Sequence, residues 1–172
     1  MDQLLTLVLR FTHIVGGVFW VGAVFLQVGF IFPTMRATGA TGGRFMQELM
    51  QRRRLSVYIN SAAGLTMLSG IIMYARMAAM TDGAWAETRA GMTFGLGGLA
   101  TILAAIIGGA VLGRGGNRLA KIGAAVQASG GAPSAEQTVE ISAIQARMWT
   151  ALRTVAVLLL IAVTAMAIGR YV

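Results

Sequence analysis

The sequence predicts an all-α integral membrane protein, built as a four-helix up-down bundle with cytoplasmic helical extensions. Hydrophobic residues make up 56% of the 172 residues and charged residues only 12%, about half of the roughly 25% that is usual in soluble domains. A helix needs ~20 consecutive apolar residues to cross the ~30 Å hydrocarbon layer of a bilayer. Four stretches meet this requirement and predict membrane helices at about residues 4–32, 55–77, 92–113 and 149–170, within a single transmembrane domain covering residues 1–172.

The distribution of basic residues predicts the orientation of these helices. The two long connections, 33–54 and 114–148, hold nine of the 14 Lys and Arg residues, whereas the opposite side holds four. Because positive charge accumulates in cytoplasmic loops, we expect a bacterial inner-membrane protein with both termini in the periplasm. The net charge of +8 then reflects topology and contact with anionic lipids rather than with nucleic acid. The arginines expected to contact lipid head groups are Arg52, Arg53, Arg54 and Arg153.

The long connections are predicted to contain helices of their own. Residues 42–56 place apolar and charged side chains at helical spacing, which is typical of an amphipathic helix at a membrane surface. Residues 117–128 extend the third helix before glycines and a proline interrupt the chain at 129–134. Ser134 is suited to cap a helix that continues into the fourth span. Such extensions indicate either a protein partner or helices that are simply solvated.

The polar residues of the first helix form a single stripe. Intervals of seven residues separate Thr6, His13, Trp20 and Gln27, so the four side chains lie on one helix face. Because ionisable residues inside a bilayer usually face protein, we expect this stripe to meet other helices. The predicted counterpart on the second helix is Asn60, on a face that also carries Ser56, Gly64 and Met67.

Glycine is concentrated in the third predicted helix. Membrane helices associate through close backbone contact, because apolar side chains gain little by leaving lipid for protein. We therefore expect this helix to be buried, with Gly95 and Gly98 at helix-packing contacts.

His13 is the one histidine of the chain, and two interpretations of it are open. With a thioether at similar depth, such as Met73 or Met166, it has the chemistry to hold haem b or copper. Alternatively, it is a structural group that forms a hydrogen bond to Tyr74 or to a backbone carbonyl of another helix. Eleven methionines in so apolar a protein are mostly packing residues, so the sequence favours the structural interpretation without a cofactor.

Catalysis has little support in the sequence. All six acidic residues lie outside the predicted spans or at their ends, which leaves no carboxylate for a conventional acid–base pair within the membrane. We therefore expect a non-catalytic accessory subunit, with lipids and a larger, for example energy-transducing, membrane complex as partners. The alternative is a haem- or copper-binding protein that uses His13 in electron transfer or metal handling.

The first helix resembles a known family. The stretch "LRFTHIVGGVFWVGAVF", with His13, Trp20 and Gly22, is similar to the first helix of the copper-resistance D-like superfamily of bacterial membrane proteins. The stretches "RRRLSVYINSAAGLTMLSGIIMY" and "LLLIAVTAMAIGRYV" resemble later helices of a small, uncharacterised branch of that group. A further resemblance, to the bacterial haem-b protoporphyrinogen oxidase, is confined to the first helix. That enzyme pairs its histidine with an intramembrane lysine, whereas the single lysine here, Lys121, lies in a connection.

The nine-to-four division of basic residues makes the topology testable. Reporter fusions after residues 45, 85 and 130 should read cytoplasmic, periplasmic and cytoplasmic, because positive loops remain inside. The reverse pattern would contradict the predicted orientation.

Overall fold

The computed structural model describes residues 2–130 and 132–172. The chain is 89% helical, and the described residues contain no strand. Within those residues four helical runs are long and apolar enough to cross a membrane. They comprise Gln3–Ala37, Leu55–Ala79, Arg89–Ala128 and Ala135–Ile168. The prediction of an all-helical chain with four such helices is therefore confirmed.

Several of these runs are built from more than one helical segment. The π-type turns in them are wider than those of an α-helix because each hydrogen bond spans one more residue. In chain order, the segments are α1 (Asp2–Leu26), a π-helical segment (Gln27–Ile31), α2 (Phe32–Ala37), α3 (Ala40–Gln47), a second π-helical segment (Glu48–Arg52), α4 (Leu55–Ala79), a 3-10 turn (Ala84–Glu87), α5 (Arg89–Ile107), a third π-helical segment (Gly108–Gly113), α6 (Arg114–Ala128) and α7 (Ala135–Ile168).

The helix ends follow the local chemistry of the sequence. The Ser134 hydroxyl accepts a hydrogen bond from the Gln137 backbone N–H, and the Gln137 side chain accepts one from the Ser134 backbone N–H. This reciprocal cap satisfies two backbone donors that the first turn leaves without helical partners. From it α7 continues without a break through the predicted connection into the fourth span, and α3 and α6 occupy the predicted amphipathic and extension segments.

The long helices pack in two pairs that meet to form a bundle. Helix α1 lies mainly against α4, and α5 lies mainly against α7. Contacts between α4 and α5, and between α1 and α7, join the two pairs. The centre of the core includes apolar residues that are at most 4% exposed: Trp20 and Val24 on α1, Ala104 on α5, and Leu152, Val155 and Leu159 on α7. The most buried apolar window belongs to α7, with 39% of its residues buried against 11% in the first run.

The interface between α5 and α7 depends on small residues. A Cβ atom added at Gly97 would lie 3.0 Å from the Cβ atom of Ala165 and 3.1 Å from the Cε atom of Met166. Further along α5, Ala100 and Ala104 are buried on the same side. Only small side chains let two backbones approach this closely.

Of the two glycines predicted at helix-packing contacts, Gly95 lies at such a contact and Gly98 does not. Gly98 faces open space, because an added Cβ atom would meet nothing within 4 Å. Gly95 lies beneath Tyr74 of α4, whose hydroxyl would be 3.2 Å from an added Cβ atom. Adjacent helical residues point about 100° apart. Of the neighbours Gly97 and Gly98, it is therefore Gly97 that faces α7.

Helices α6 and α7 form a hairpin beyond the apolar part of the bundle. The Arg118 Nε atom donates to the Glu140 Oε1 atom at 2.6 Å, and Ile122 is buried between the helices. Gly115 allows close contact with Met148, whose Sδ atom would lie 2.8 Å from an added Cβ atom. The long extensions therefore pack on each other and are not independent arms.

Leucine substitutions at the two neighbouring glycines should have different effects. Gly97→Leu should destabilise the protein by ~1–3 kcal/mol, because the new side chain must separate α5 from α7. Gly98→Leu points into open space and should leave stability nearly unchanged. Thermal unfolding in one detergent compares the two variants; equal melting temperatures would contradict the assigned interface.

Candidate functional site: the His13 contact between α1 and α4

Two glycines on α1 bring that helix close to α4. A Cβ atom added at Gly16 would lie 2.7 Å from the Thr66 Oγ1 atom and 3.2 Å from the Ala62 carbonyl oxygen. At Gly17 the corresponding contact is 3.5 Å from the Thr66 methyl group. The helices therefore meet almost backbone to backbone, one turn from His13.

The imidazole of His13 occupies a notch in α4 at Gly70. An added Cβ atom at Gly70 would lie 2.8 Å from the His13 Cε1 atom and 3.0 Å from its Nδ1 atom. The Nδ1 atom lies 2.8 Å from the Thr66 carbonyl oxygen. Since a carbonyl oxygen only accepts, the hydrogen of a neutral ring must be on Nδ1. The Nε2 atom then carries the free lone pair of a half-buried ring.

A small polar cluster surrounds this contact. The Ser69 hydroxyl donates to the same Thr66 carbonyl at 3.1 Å and to the Leu65 carbonyl at 2.6 Å. Both Thr66 and Ser69 are buried. The Thr66 hydroxyl has no hydrogen-bond partner among the described residues. The Thr66 carbonyl thus accepts hydrogen bonds from the side chains of His13 and Ser69. These polar contacts at the α1–α4 interface lie at the same height along the helices.

His13 has one of its two predicted hydrogen-bond partners, but it meets α4 at a different height from the predicted one. Of the two expected partners, the backbone carbonyl forms the bond, whereas the Tyr74 hydroxyl donates to the Gly91 carbonyl at 3.3 Å. His13 was expected level with Met73 and Tyr74, but it contacts Thr66 and Gly70. The His13 contact therefore lies one to two helical turns closer to the middle of α4 than predicted.

The two methionines proposed as co-ligands lie in different interfaces. The terminal methyl group of Met166 is directed at Gly97 of α5, whereas His13 belongs to the α1–α4 pair. Met73 is half-buried, three residues beyond Gly70 on α4. In the part of the chain that the structure describes, no three His, Cys, Asp or Glu side chains are grouped as metal ligands.

The rest of the polar stripe has a mixed outcome. Trp20 is buried in the core, as a helix-packing residue should be. Gln27 is half-buried, and its amide donates to the Ala23 carbonyl of its own helix at 3.2 Å. Asn60 is exposed, so its expected contact with α1 is not made. The face of α4 that meets α1 carries Ala62, Thr66 and Ser69 instead.

The arginines assigned to lipid head groups lie at one end of the bundle. Arg52 and Arg53 each approach Glu48 at 3.5 Å, and Arg54 begins α4 with a left-handed backbone. Arg153 is exposed, with its guanidinium 5.9 Å from the centre of the Trp149 ring. Their side chains are largely solvent-accessible and therefore available to phosphate groups.

Two aromatic clusters mark opposite ends of the apolar region. At one end Phe32 stacks on Trp149 with ring centroids 5.2 Å apart. At the other, Trp85 lies 5.2 Å from Tyr74 and 6.0 Å from Phe94, and Phe94 contacts Gly169. Trp149 and Gly169 are 20 residues apart, or about 30 Å at ~1.5 Å per residue. Each pairing joins residues from different helical segments, and no periodicity in the sequence indicates it.

Comparison with known proteins yields no match to a family model, to a curated protein or to a solved structure.

Two substitutions of His13 should separate its two interpretations. The Gln side chain can still donate to the Thr66 carbonyl, whereas Leu cannot. An interhelical hydrogen bond in a membrane protein contributes ~0.6 kcal/mol on average and up to ~1.7 kcal/mol. We therefore expect His13→Leu, but not His13→Gln, to lower the melting temperature in detergent. Purified wild-type protein should show no Soret band and no bound copper; a chromophore or metal that His13→Gln loses would favour the ligand interpretation.

Proposed function

We propose that this chain is a non-catalytic integral membrane protein whose four long helices cross the bilayer alternately. The two aromatic clusters support this proposal, because tryptophan and tyrosine concentrate at the two membrane interfaces. Their separation of about 30 Å along α7 equals the usual thickness of the hydrocarbon layer. The Glu48 ion pairs then lie beyond the Trp149 end. Arg153 lies about one turn inside it, with its guanidinium 5.9 Å from the Trp149 ring, within reach of the lipid head groups.

The charge distribution supports one orientation. The Trp149 end adjoins the two connections that carry nine basic residues. In a bacterial inner membrane this end is cytoplasmic, and both termini are periplasmic. The α6–α7 hairpin and α3 then project on the cytoplasmic side.

The observation that carries the function is the outward-facing polar surface of α4. Ser56, Asn60, Ser61 and Gly64 are all exposed, although α4 is one of the apolar runs. Polar residues within a span usually face protein, and small residues one turn apart let a second helix approach closely. We infer that this surface contacts a transmembrane helix of a partner, and that the chain is an accessory subunit of a larger membrane complex.

The internal chemistry agrees with a structural role. His13 uses one ring nitrogen to hold α1 against α4. Glu48 and Glu140 pair with arginines towards the cytoplasmic end. Among the described residues, the hydrogen bond of His13 goes to a backbone carbonyl, and no ion pair joins this ring to a carboxylate.

A photo-crosslinking residue tests the proposed surface in intact cells. Placed at Ser61 it should give an adduct with a membrane protein. Placed at Leu160, an exposed apolar position on α7, it should label lipid alone. Gly64→Leu should abolish the Ser61 adduct by blocking close approach. Gly22→Leu, also at an exposed glycine with open space around it, should not.

The proposal fails if Ser61 gives no protein adduct, or if Leu160 gives the same adduct as Ser61. It also fails if Gly64→Leu leaves the adduct unchanged.

A second candidate function is haem or copper binding, and the hydrogen bond at Nδ1 favours it. Metal-binding histidines commonly donate their other ring N–H to a carbonyl oxygen, which leaves one nitrogen free for the metal. His13 has this arrangement, with Nε2 free. Membership of the copper-resistance D-like superfamily is part of this second proposal. Met73 or Met166 would then have to supply the further ligand. The absorbance spectrum and the metal content of wild type and His13→Gln decide between the two candidates.

A further inference from the structure

A cleft of about 230 Å³ opens between α2, α3 and α7 at the Trp149 end of the bundle. Its lining comprises Met35, Arg36, Gly39, Gly43 and Gln145. None of these residues belongs to the His13 contact or to the outward face of α4.

The local sequence "RATGATGG" forms this cleft. Gly39 adopts φ +55° and reverses the chain between α2 and α3, a conformation that glycine adopts without strain. Gly42 then lies against Met35, whose carbonyl oxygen an added Cβ atom would overlap. Gly43 faces open space, since an added Cβ atom there would meet nothing within 4 Å. The fold therefore leaves a gap beside Arg36 that its own side chains do not fill.

The depth of the cleft matches the head-group layer. Arg36 follows Phe32 by four residues, and Gln145 precedes Trp149 by four residues. Phe32 and Trp149 stack on each other at the end of the apolar region. Four helical residues rise about 6 Å, so both polar side chains lie about one turn beyond the aromatic pair. If that pair marks the membrane interface, the cleft lies among the lipid phosphates.

The charge of the cleft selects an anion. No acidic side chain of the described residues pairs with Arg36, and Glu48, the nearest acid along the chain, approaches Arg52 and Arg53. Arg44 and Arg147 lie within two residues of Gly43 and Gln145. A guanidinium donates to phosphate oxygens in a fixed planar geometry, and an amide N–H adds a further donor.

We propose that this cleft binds the head-group phosphate of an anionic phospholipid through Arg36 and Gln145. The inference rests on the proposed membrane insertion of the bundle. A lipid is favoured over a soluble phosphate because its acyl chains would continue past Phe32 along the exposed apolar surface. An anionic lipid is favoured over a zwitterionic one because the neighbouring arginines repel an ammonium group.

Lipid titration of the full-length protein, followed by native mass spectrometry, tests the site. Dioleoyl phosphatidylglycerol should bind about five-fold more tightly than dioleoyl phosphatidylcholine. Arg36→Gln should reduce phosphatidylglycerol affinity about five-fold. Gly43→Leu should do the same by filling the gap, while its helical backbone accepts the new side chain. Arg44→Gln removes the same charge from a residue that does not line the cleft and should reduce the affinity less than Arg36→Gln does.

Three outcomes would overturn the proposal. Equal losses in Arg36→Gln and Arg44→Gln would mean diffuse attraction without a site. Equal affinity for the two lipids would remove the anionic selectivity. Displacement of the lipid by millimolar glycerol 3-phosphate would indicate a site for a soluble phosphate ester. A wild-type chain that remains soluble without detergent would instead contradict membrane insertion itself, which separates failure of the site from failure of the proposed function.

Discussion

Close approach between helix backbones is the constraint on which the rest of the structure depends. Gly16 brings α1 against Thr66, Gly70 admits the His13 ring into α4, and Gly97 brings α5 against Ala165. In lipid, helices gain little from burying apolar side chains, so dispersion contacts and hydrogen bonds must hold them together. The His13–Thr66 bond is therefore available only because two glycines first bring the helices within reach of it.

The features set by length and local chemistry were predictable from the sequence. Apolar runs of sufficient length gave the four helices, and Ser134 followed by Gln137 gave the start of α7. The seven-residue spacing of His13 and Trp20 correctly indicated a face that meets other helices, because both residues lie on the packed side of α1.

The sequence did not predict which face of each helix contacts the neighbouring helices. Helix α4 has two faces of small and polar residues, one with Asn60 and Gly64 and the other with Thr66 and Ser69. Periodicity identifies both faces, but it does not say which one meets α1. The same ambiguity applies to α5. The sequence does not say whether Gly97 or Gly98 faces α7, because adjacent residues differ mainly by rotation about the helix axis. The sequence therefore identified His13 as the candidate residue, whereas its contacts with Thr66 and Gly70 became known only from the structure.

The placement of the wide helical turns has a mechanical consequence. In the described chain the π-helical segments Gln27–Ile31, Glu48–Arg52 and Gly108–Gly113 all adjoin the end of the bundle marked by Trp149. Away from that end, α1, α4 and α5 are regular α-helix where Gly70, His13 and Gly97 make their close contacts. We therefore expect helical pitch to adjust more readily at the Trp149 end than beside the glycine contacts.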